Sequence, residues 1–308
     1  MKINYLVLGA NGFVGSHLVD ALSGLPNAEV RAFDRYSKAT SFNLKPNIKL
    51  YKGDFFDDKD IAIALSGAEV VFHIFSTTTP QASYSKPIED TILLKRTVEI
   101  FDKCAQQGVG KVIYMSSAAT YGESPNGDSL REVDLPHPVS PYGICKLTVE
   151  NYLNYFCRKG AFEGISYRLT NPYGPRQVYK KNQGVIPLFA HKIMNGEELT
   201  VYGDGTTSRD FIFINDAINM IVTSFPNKNK HAVYNLGSGQ EHSINDIVAL
   251  LSKVIGQEAR VKFENTSQSG AQRSTVSMER FSSEFGMPQL TPIEEGLGDY
   301  IAWLRNAE

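Results

Sequence analysis

The stretch "INYLVLGANGFVGSHLVDALSG", residues 3–24, decides how the fold is read. Its first half is a compact apolar run with Ile, Val and Leu, far short of the ~20 residues that cross a bilayer. It stops at Gly9, and Gly12 and Gly15 follow at three-residue spacing. Its second half repeats apolar residues with a helical period. A buried strand that turns through glycines straight into a helix is the opening unit of a parallel α/β sheet. Glycine allows the tight turn and lets backbone N–H groups approach a phosphate at the helix N-terminus. Taken alone, the same glycines could simply end a strand.

The alternation continues outward from that unit. "EVRAFDR" (29–35), "IKLYKGD" (48–54), "AEVVFHIF" (68–75), "KVIYMSS" (111–117) and "ISYRLTNPYG" (165–174) read as further strands. Helical patterns at "KDIAIALSG" (59–67), "PIEDTILLKRTVEIFDKCAQQG" (87–108) and "PYGICKLTVENYLNYFCRKG" (141–160) separate the later ones. Apolar strands alternating with helices predict a doubly wound Rossmann sheet over residues 1–175. Beyond "YGPRQ" the rhythm breaks, and residues 176–308 read mainly as a smaller substrate-binding lobe. It holds helices at 184–196 and 243–256, a short strand at 199–203 and an apolar run at 209–225. Its segments are expected to interleave with the core and to close over the carboxyl edge of the sheet, where ligands of such folds bind.

Composition narrows the partners. The 308 residues carry a formal net charge of −2, which gives nucleic acid and anionic membrane no electrostatic hold. The apolar opening lacks a small-residue cleavage site and reads as a first strand, not a leader. Three cysteines, Cys104, Cys145 and Cys157, form no CxxC pair, which fits a reducing cytoplasm. The six histidines show no metal-ligand spacing, so no metal is expected.

The second strand gives the glycine turn its meaning. Asp34 ends that strand about 20 residues on, where a carboxylate accepts hydrogen bonds from an adenosine ribose and repels a 2′-phosphate. That favours NAD over NADP, although the neighbouring Arg35 pulls the other way, and a solvated Asp-Arg turn is the plainer alternative. The candidate cofactor residues are Gly9, Asn11, Gly12, Phe13, Val14, Gly15, Asp34, Arg35, Asp54, Phe55 and Ser76, with Tyr142 and Lys146. Asp54 is placed for the adenine amine and reads equally well as a loop carboxylate.

"SPYGICK", residues 140–146, supplies chemistry. Ser140 and Pro141 read as an N-cap and a first-turn proline. Tyr142 and Lys146 then share one helix face. A cation beside the phenol, the helix N-terminus and a positive nicotinamide all favour tyrosinate, lowering a pKa that is ordinarily about 10. Such a phenolate takes a proton from a sugar hydroxyl as hydride leaves the same carbon. Ser117, at the end of the fifth strand, would hydrogen-bond the reacting oxygen. Ser117, Tyr142 and Lys146 are the candidate catalytic set. His73 and His17 read as structural, Cys145 as filling space, and Tyr152, Tyr155 and Phe156 as a packing stripe.

At this point the chain resembles a known family. "GANGFVG", "KGDFFD", "VVFHIFSTTTP", "SSAATYG", "PYGICK", "RLTNPYGPRQ", "LTVYGDGTTSRDFIFIND", "YNLGSG" and "TPIEEGL" together resemble an extended short-chain dehydrogenase/reductase of the NAD-dependent epimerase/dehydratase group, most nearly the UDP-glucose (UDP-hexose) 4-epimerases. The resemblance implies that Asn171 meets the substrate diphosphate region, that Tyr202 lies near the uridine and that Arg209 pairs with the diphosphate. Thr77 and Thr78 would border cofactor and sugar. A salt-bridged strand start is the plainer reading of Arg209, and a Thr-rich loop that of Thr77 and Thr78.

Departures from the family pattern matter as well. Ala118 and Ala119 stand where a dehydratase has its acid–base pair, which disfavours elimination. Leu93 takes the place of a usual asparagine. Gln268 takes the place of a late diphosphate arginine, with Arg273 close enough in sequence to substitute. Thr275 would gate the sugar C2 substituent and leave room for an N-acetyl group. The expected activity is therefore NAD-dependent 4-epimerisation of UDP-Glc/UDP-Gal or UDP-GlcNAc/UDP-GalNAc by a cytoplasmic homodimer. A 4-ketoreductase of the same family, or a noncatalytic NAD-binding regulator, are the alternatives.

Overall fold

The computed structural model describes residues 2–124, 127–179, 184–265 and 272–307. The chain runs β1 (Ile3–Leu8), α1 (Phe13–Ser23), β2 (Ala28–Asp34), β3 (Ile48–Lys52), α2 (Asp58–Leu65), β4 (Val70–His73), α3 (Pro80–Ser83), α4 (Pro87–Gln106) and β5 (Lys111–Ser117). It continues with α5 (Pro141–Arg158), β6 (Glu163–Leu169), β7 (Asn171–Tyr173), α6 (Val185–Met194), β8 (Glu198–Tyr202), β9 (Ser208–Phe213) and α7 (Ile214–Ser224). The remainder is β10 (Val233–Leu236), β11 (Glu241–Ser243), α8 (Ile244–Ile255), β12 (Arg260–Glu264), β13 (Arg273–Ser274), α9 (Glu279–Phe285) and α10 (Ile293–Ala307).

Seven strands form the main sheet in the order β10-β6-β5-β4-β1-β2-β3. β1 pairs in parallel with β2 on one side and with β4 on the other. Strand order therefore reverses between β1 and β4, and the carboxyl ends of strands at such a reversal are where sheets of this kind bind ligands. The apolar runs of β1, β4 and β5 are buried because helices cover the sheet. On one face Leu6, Leu8, Val71 and Val112 pack with Ile61 and Leu65 of α2, Ile100 and Phe101 of α4, and Val149 and Leu153 of α5. Phe101 is fully buried, and truncating such a ring to alanine costs about 3–5 kcal/mol.

The chain divides into two compact units whose segments alternate along the sequence. One unit holds residues 1–117, 140–168 and 218–234; the other holds 118–139, 169–217 and 235–308. One sequence expectation fails. "ISYRLTNPYG" is two strands, since Thr170 donates its N–H to Leu236 while the next three residues pair with β9 in another sheet. The apolar run at 209–225 likewise splits into β9 and α7. In the second unit β9 is central, pairing with β7, β11 and β13. Its Asp210 is fully buried and accepts backbone N–H groups from Ser238 and Gly239 at 2.8 and 3.0 Å.

Candidate active site

The glycine turn after β1 is built for close approach of a ligand backbone. Gly9 sits at φ +90°, and a side chain there would meet the Phe75 backbone at 3.1 Å. Gly15 admits none at all, because a Cβ would lie 2.1 Å from the Gly9 carbonyl oxygen. α1 begins immediately afterwards with Gly12 as N-cap, and no side chain caps it. Its first N–H groups are thus left to an anion, with the helix dipole behind them. Asp34 ends β2 alongside: its carboxylate accepts the Asn11 N–H at 3.0 Å and the Arg35 N–H at 2.7 Å. Asn11 in turn ties the loop to residues 39–41 through Ala39 and Ser41.

The hydroxyl-bearing groups gather at the ends of β4 and β5 and the start of α5. Ser140 caps α5 by accepting the Gly143 N–H at 3.1 Å, with Pro141 in the first turn, as the sequence predicts. That fixes Tyr142 and Lys146 one turn apart. Hydrogen bonds from Ser117 and Ser76 favour the Tyr142 phenolate, yet burial outweighs them and pushes the phenol up to about 12. The lowering expected from the sequence is what the Lys146 cation, the helix N-terminus and a positive nicotinamide would together set against that burial. Lys146 lies 5.5 Å from the Tyr142 ring centroid and 4.8 Å from that of Tyr114. Its ammonium donates to the Met115 carbonyl at 2.7 Å. Burial lowers Lys146 to about 8, opposed by the carboxylates of Glu150 and Asp90. One turn beyond, Glu150 accepts from Ser116 and holds Arg168 at 2.7 Å.

The family profile of the NAD dependent epimerase/dehydratases matches residues 5–237. The chain belongs to that family. A UDP-N-acetylglucosamine 4-epimerase from Methanobrevibacter ruminantium, solved with UDP-N-acetylmuramic acid, is 30% identical over the whole of both chains, with a TM-score of 0.92. A UDP-glucose 4-epimerase from Thermotoga maritima, solved with UDP-glucose, is 28% identical over 99% of both chains, with a TM-score of 0.91. An Escherichia coli dTDP-4-dehydro-6-deoxyglucose reductase is 26% identical across 99% of this chain and 98% of its own. The epimerase/dehydratase cofactor NAD fits the cradle described above, where Gly9 and Gly15 have no room for a Cβ and no side chain caps the start of α1.

Other sequence-predicted family positions divide. Ser117, Tyr142 and Lys146 converge. Asp54 is exposed, and its carboxylate closes a turn by accepting the Phe56 N–H at 2.9 Å. The Phe55 ring is core, stacked on Phe75 with centroids 4.1 Å apart. Thr77 is exposed, whereas Thr78 is buried and donates its hydroxyl to Asp90. In the second unit β7, β9 and β13 bring Asn171, Arg209 and Arg273 to one small sheet, with Thr275 just beyond it. Asn171 donates to the Asp210 carbonyl at 2.8 Å, and Arg209 to the Ser208 carbonyl at 2.7 Å. The Arg273 guanidinium is clasped by Glu241, with Nε 2.7 Å from Oε1. The Thr275 hydroxyl is buried without a partner. Tyr202 is exposed at the end of the separate β8–β12 pair, and Gln268 lies outside the described residues.

Two buried groups of α4 escaped sequence reading. Asp90 and Arg96 are buried on α4. The Arg96 guanidinium donates to the Phe55 carbonyl at 2.7 Å and pairs with Asp58 at 2.6 Å, so it braces the loop after β3. Asp90 recurs in phase with Leu93, Thr97, Ile100 and Cys104, and that helical stripe was the available signal. The packing stripe expected of α5 is only partly one. Tyr152 and Tyr155 are exposed, and of the three aromatics Phe156 packs, against Phe101 and Phe162.

Proposed function

We propose that this chain is an NAD-dependent nucleotide-sugar 4-epimerase acting on UDP-hexoses. The observation that carries the reading is the convergence of Ser117, Tyr142 and Lys146, with Ser117 hydrogen-bonded to the phenol. NAD, held by the Gly9–Gly15 turn and Asp34, would supply reversible hydride transfer at the sugar C4. Tyr142 removes the proton from the C4 hydroxyl, Ser117 holds that oxygen, and Lys146 supplies the adjacent positive charge. The 4-keto sugar turns over and is reduced on its other face, with Tyr142 returning the proton. Asn171, Arg209, Arg273 and Thr275 are the residues we assign to the nucleotide sugar, with the orphaned Thr275 hydroxyl the group that most needs a polar partner.

Ala118 and Ala119 supply no acid or base after β5, which supports epimerisation over elimination. The exposed Ile88 and Ile92 of α4 and Ile144, Tyr152 and Tyr155 of α5 support a homodimer seamed along those helices. No described helix is long and apolar enough to cross a membrane, and Cys104, Cys145 and Cys157 are all unpaired. We infer a cytoplasmic enzyme from those free thiols.

The deciding experiment incubates the protein with UDP-Glc, UDP-Gal, UDP-GlcNAc and UDP-GalNAc separately, without reductant, and resolves products by NMR. Appearance of the C4 epimer from both directions is expected. Four unchanged substrates would move the assignment to the 4-ketoreductase, which the similarity to the Escherichia coli reductase supports. NADH or NADPH consumption with 4-keto sugars then tests it.

A further inference from the structure

Asp90 is a carboxylate on the buried face of α4, 2% exposed, among apolar neighbours. A charge in that position requires partners, since burying one unpaired is costly. The Thr78 hydroxyl donates to its Oδ1, but Oδ2 has no partner in the protein. Among the described residues Asp90 makes no ion pair; burial raises its pKa, and the Thr78 hydrogen bond and the field of Lys146 work against that rise to keep the carboxylate. Asp90, Lys146, Tyr142 and His73 line one cavity of about 20 Å³. That is room for a single water.

The polar atoms around the cavity suit one water. The Thr97 hydroxyl donates to the Leu93 carbonyl at 2.8 Å, so its lone pair is left to accept from His73 Nε2 at 3.2 Å. That fixes the His73 tautomer through its hydrogen bonds and leaves Nδ1 a bare acceptor. His73 Nδ1 and Asp90 Oδ2 are both buried and both without partners. A water has two hydrogens to give them. Its lone pairs can accept from the Lys146 ammonium, which gives one of its three hydrogens to Met115.

We propose that one buried water, held by Asp90 and His73, links the Asp90 carboxylate to the Lys146 ammonium and makes Asp90 a positioning residue that sets the charge balance at Tyr142. Other groups facing the cluster do not replace it. On α5, Glu150 reaches Lys146 but is engaged by Arg168 and Ser116, and the Cys145 thiol is raised by burial. His73 on β4 and Tyr114 on β5 are held neutral by burial. On α4 itself Glu89 pairs with Lys86, the neighbouring α2 directs Asp58 at Arg96, and α3 carries no charge. Asp90 therefore favours the Lys146 ammonium and opposes the Tyr142 phenolate. Tyr142 then keeps a proton once it has taken one, which suits a reaction that must hand the same proton back.

The inference rests on Tyr142 being the base of the proposed reaction, but its test needs no sugar. In the NAD-bound protein labelled with [13Cζ]tyrosine, Tyr142→Phe assigns the Tyr142 signal. Asp90→Asn keeps the size of the side chain and removes the charge, and should move the Tyr142 titration down by about one pH unit. Asp90→Leu, which also removes the acceptor, should move it the same way and serves if the first variant folds poorly. Thr78→Val, which withdraws the hydroxyl that stabilises the carboxylate, should move it less. A crystal structure of the NAD complex should show the water within hydrogen-bonding distance of Asp90 Oδ2 and His73 Nδ1. A titration unmoved or shifted upward in both Asp90 variants, or a dry cavity, overturns the proposal.

Discussion

The Nζ of Lys146 lies 2.7 Å from the carbonyl oxygen of Met115, two residues before Ser117. The lysine of α5 is thereby pinned to the strand that presents the serine, and its charge cannot swing away from the phenol. Lys146→Met keeps the length of the side chain and removes the ammonium. Turnover should fall roughly 10²–10⁴-fold. Folding should weaken too, because Asp90 is left buried without a nearby cation and the Met115 carbonyl loses its donor. A variant with full turnover and poor stability would mark Lys146 as a structural brace alone.

Tyr142→Phe deletes one oxygen. It should leave NAD bound, since the glycine cradle and Asp34 are untouched, while turnover drops roughly 10²–10⁴-fold. Protein-bound nucleotide and product formation, measured on the same preparation, separate the two effects. Full turnover would remove Tyr142 from the role of base.

Gly15→Ala tests the cradle. The added methyl would stand 2.1 Å from the Gly9 carbonyl, a backbone atom with no rotamer to yield. Shifting the loop should cost about 1–3 kcal/mol of stability and weaken NAD binding. Calorimetric titration of the nucleotide into wild type and variant measures the loss. Unchanged affinity would mean that the loop can move without consequence for the cofactor.

His73 predicts acid sensitivity. Burial lowers its pKa to about 3, against 6.5 when unfolded. As pH falls below 6.5 the unfolded chain gains a proton that the folded chain refuses, so stability present above that pH is lost progressively down to about 3. Between pH 7 and 4.5 this single group should account for about 2–3 kcal/mol. Urea unfolding of wild type and His73→Leu at both pH values isolates it, the variant showing the smaller decline. Equal declines would refute the assignment.

Much of this was legible beforehand because it is written in local rules. Ser140 and Pro141 announced the start of α5, and "KVIYMSS" gave β5 to the residue. What stayed hidden depends on distant partners. Nothing within 209–225 says where β9 becomes α7, because the run is apolar on both sides of the change and the strand pairs with segments far along the chain. The Thr170 break is set by Leu236. Nothing beside Arg273 in the sequence announces Glu241, which β11 places against its guanidinium. Asp90 was visible in helical phase, yet the cavity that gives it meaning needs β4 and α5 beside it.

Tyr142, Lys146 and Glu150 follow one another four residues apart on α5, so each stands one turn above the last. The base, its cation and the carboxylate that anchors Arg168 therefore share a single ruler. Loops around them can lengthen or drift without disturbing their mutual spacing. Deleting one residue between Tyr142 and Lys146 would instead turn the phenol about 100° from the ammonium. An insertion or deletion is therefore least tolerable within the first three turns of this helix.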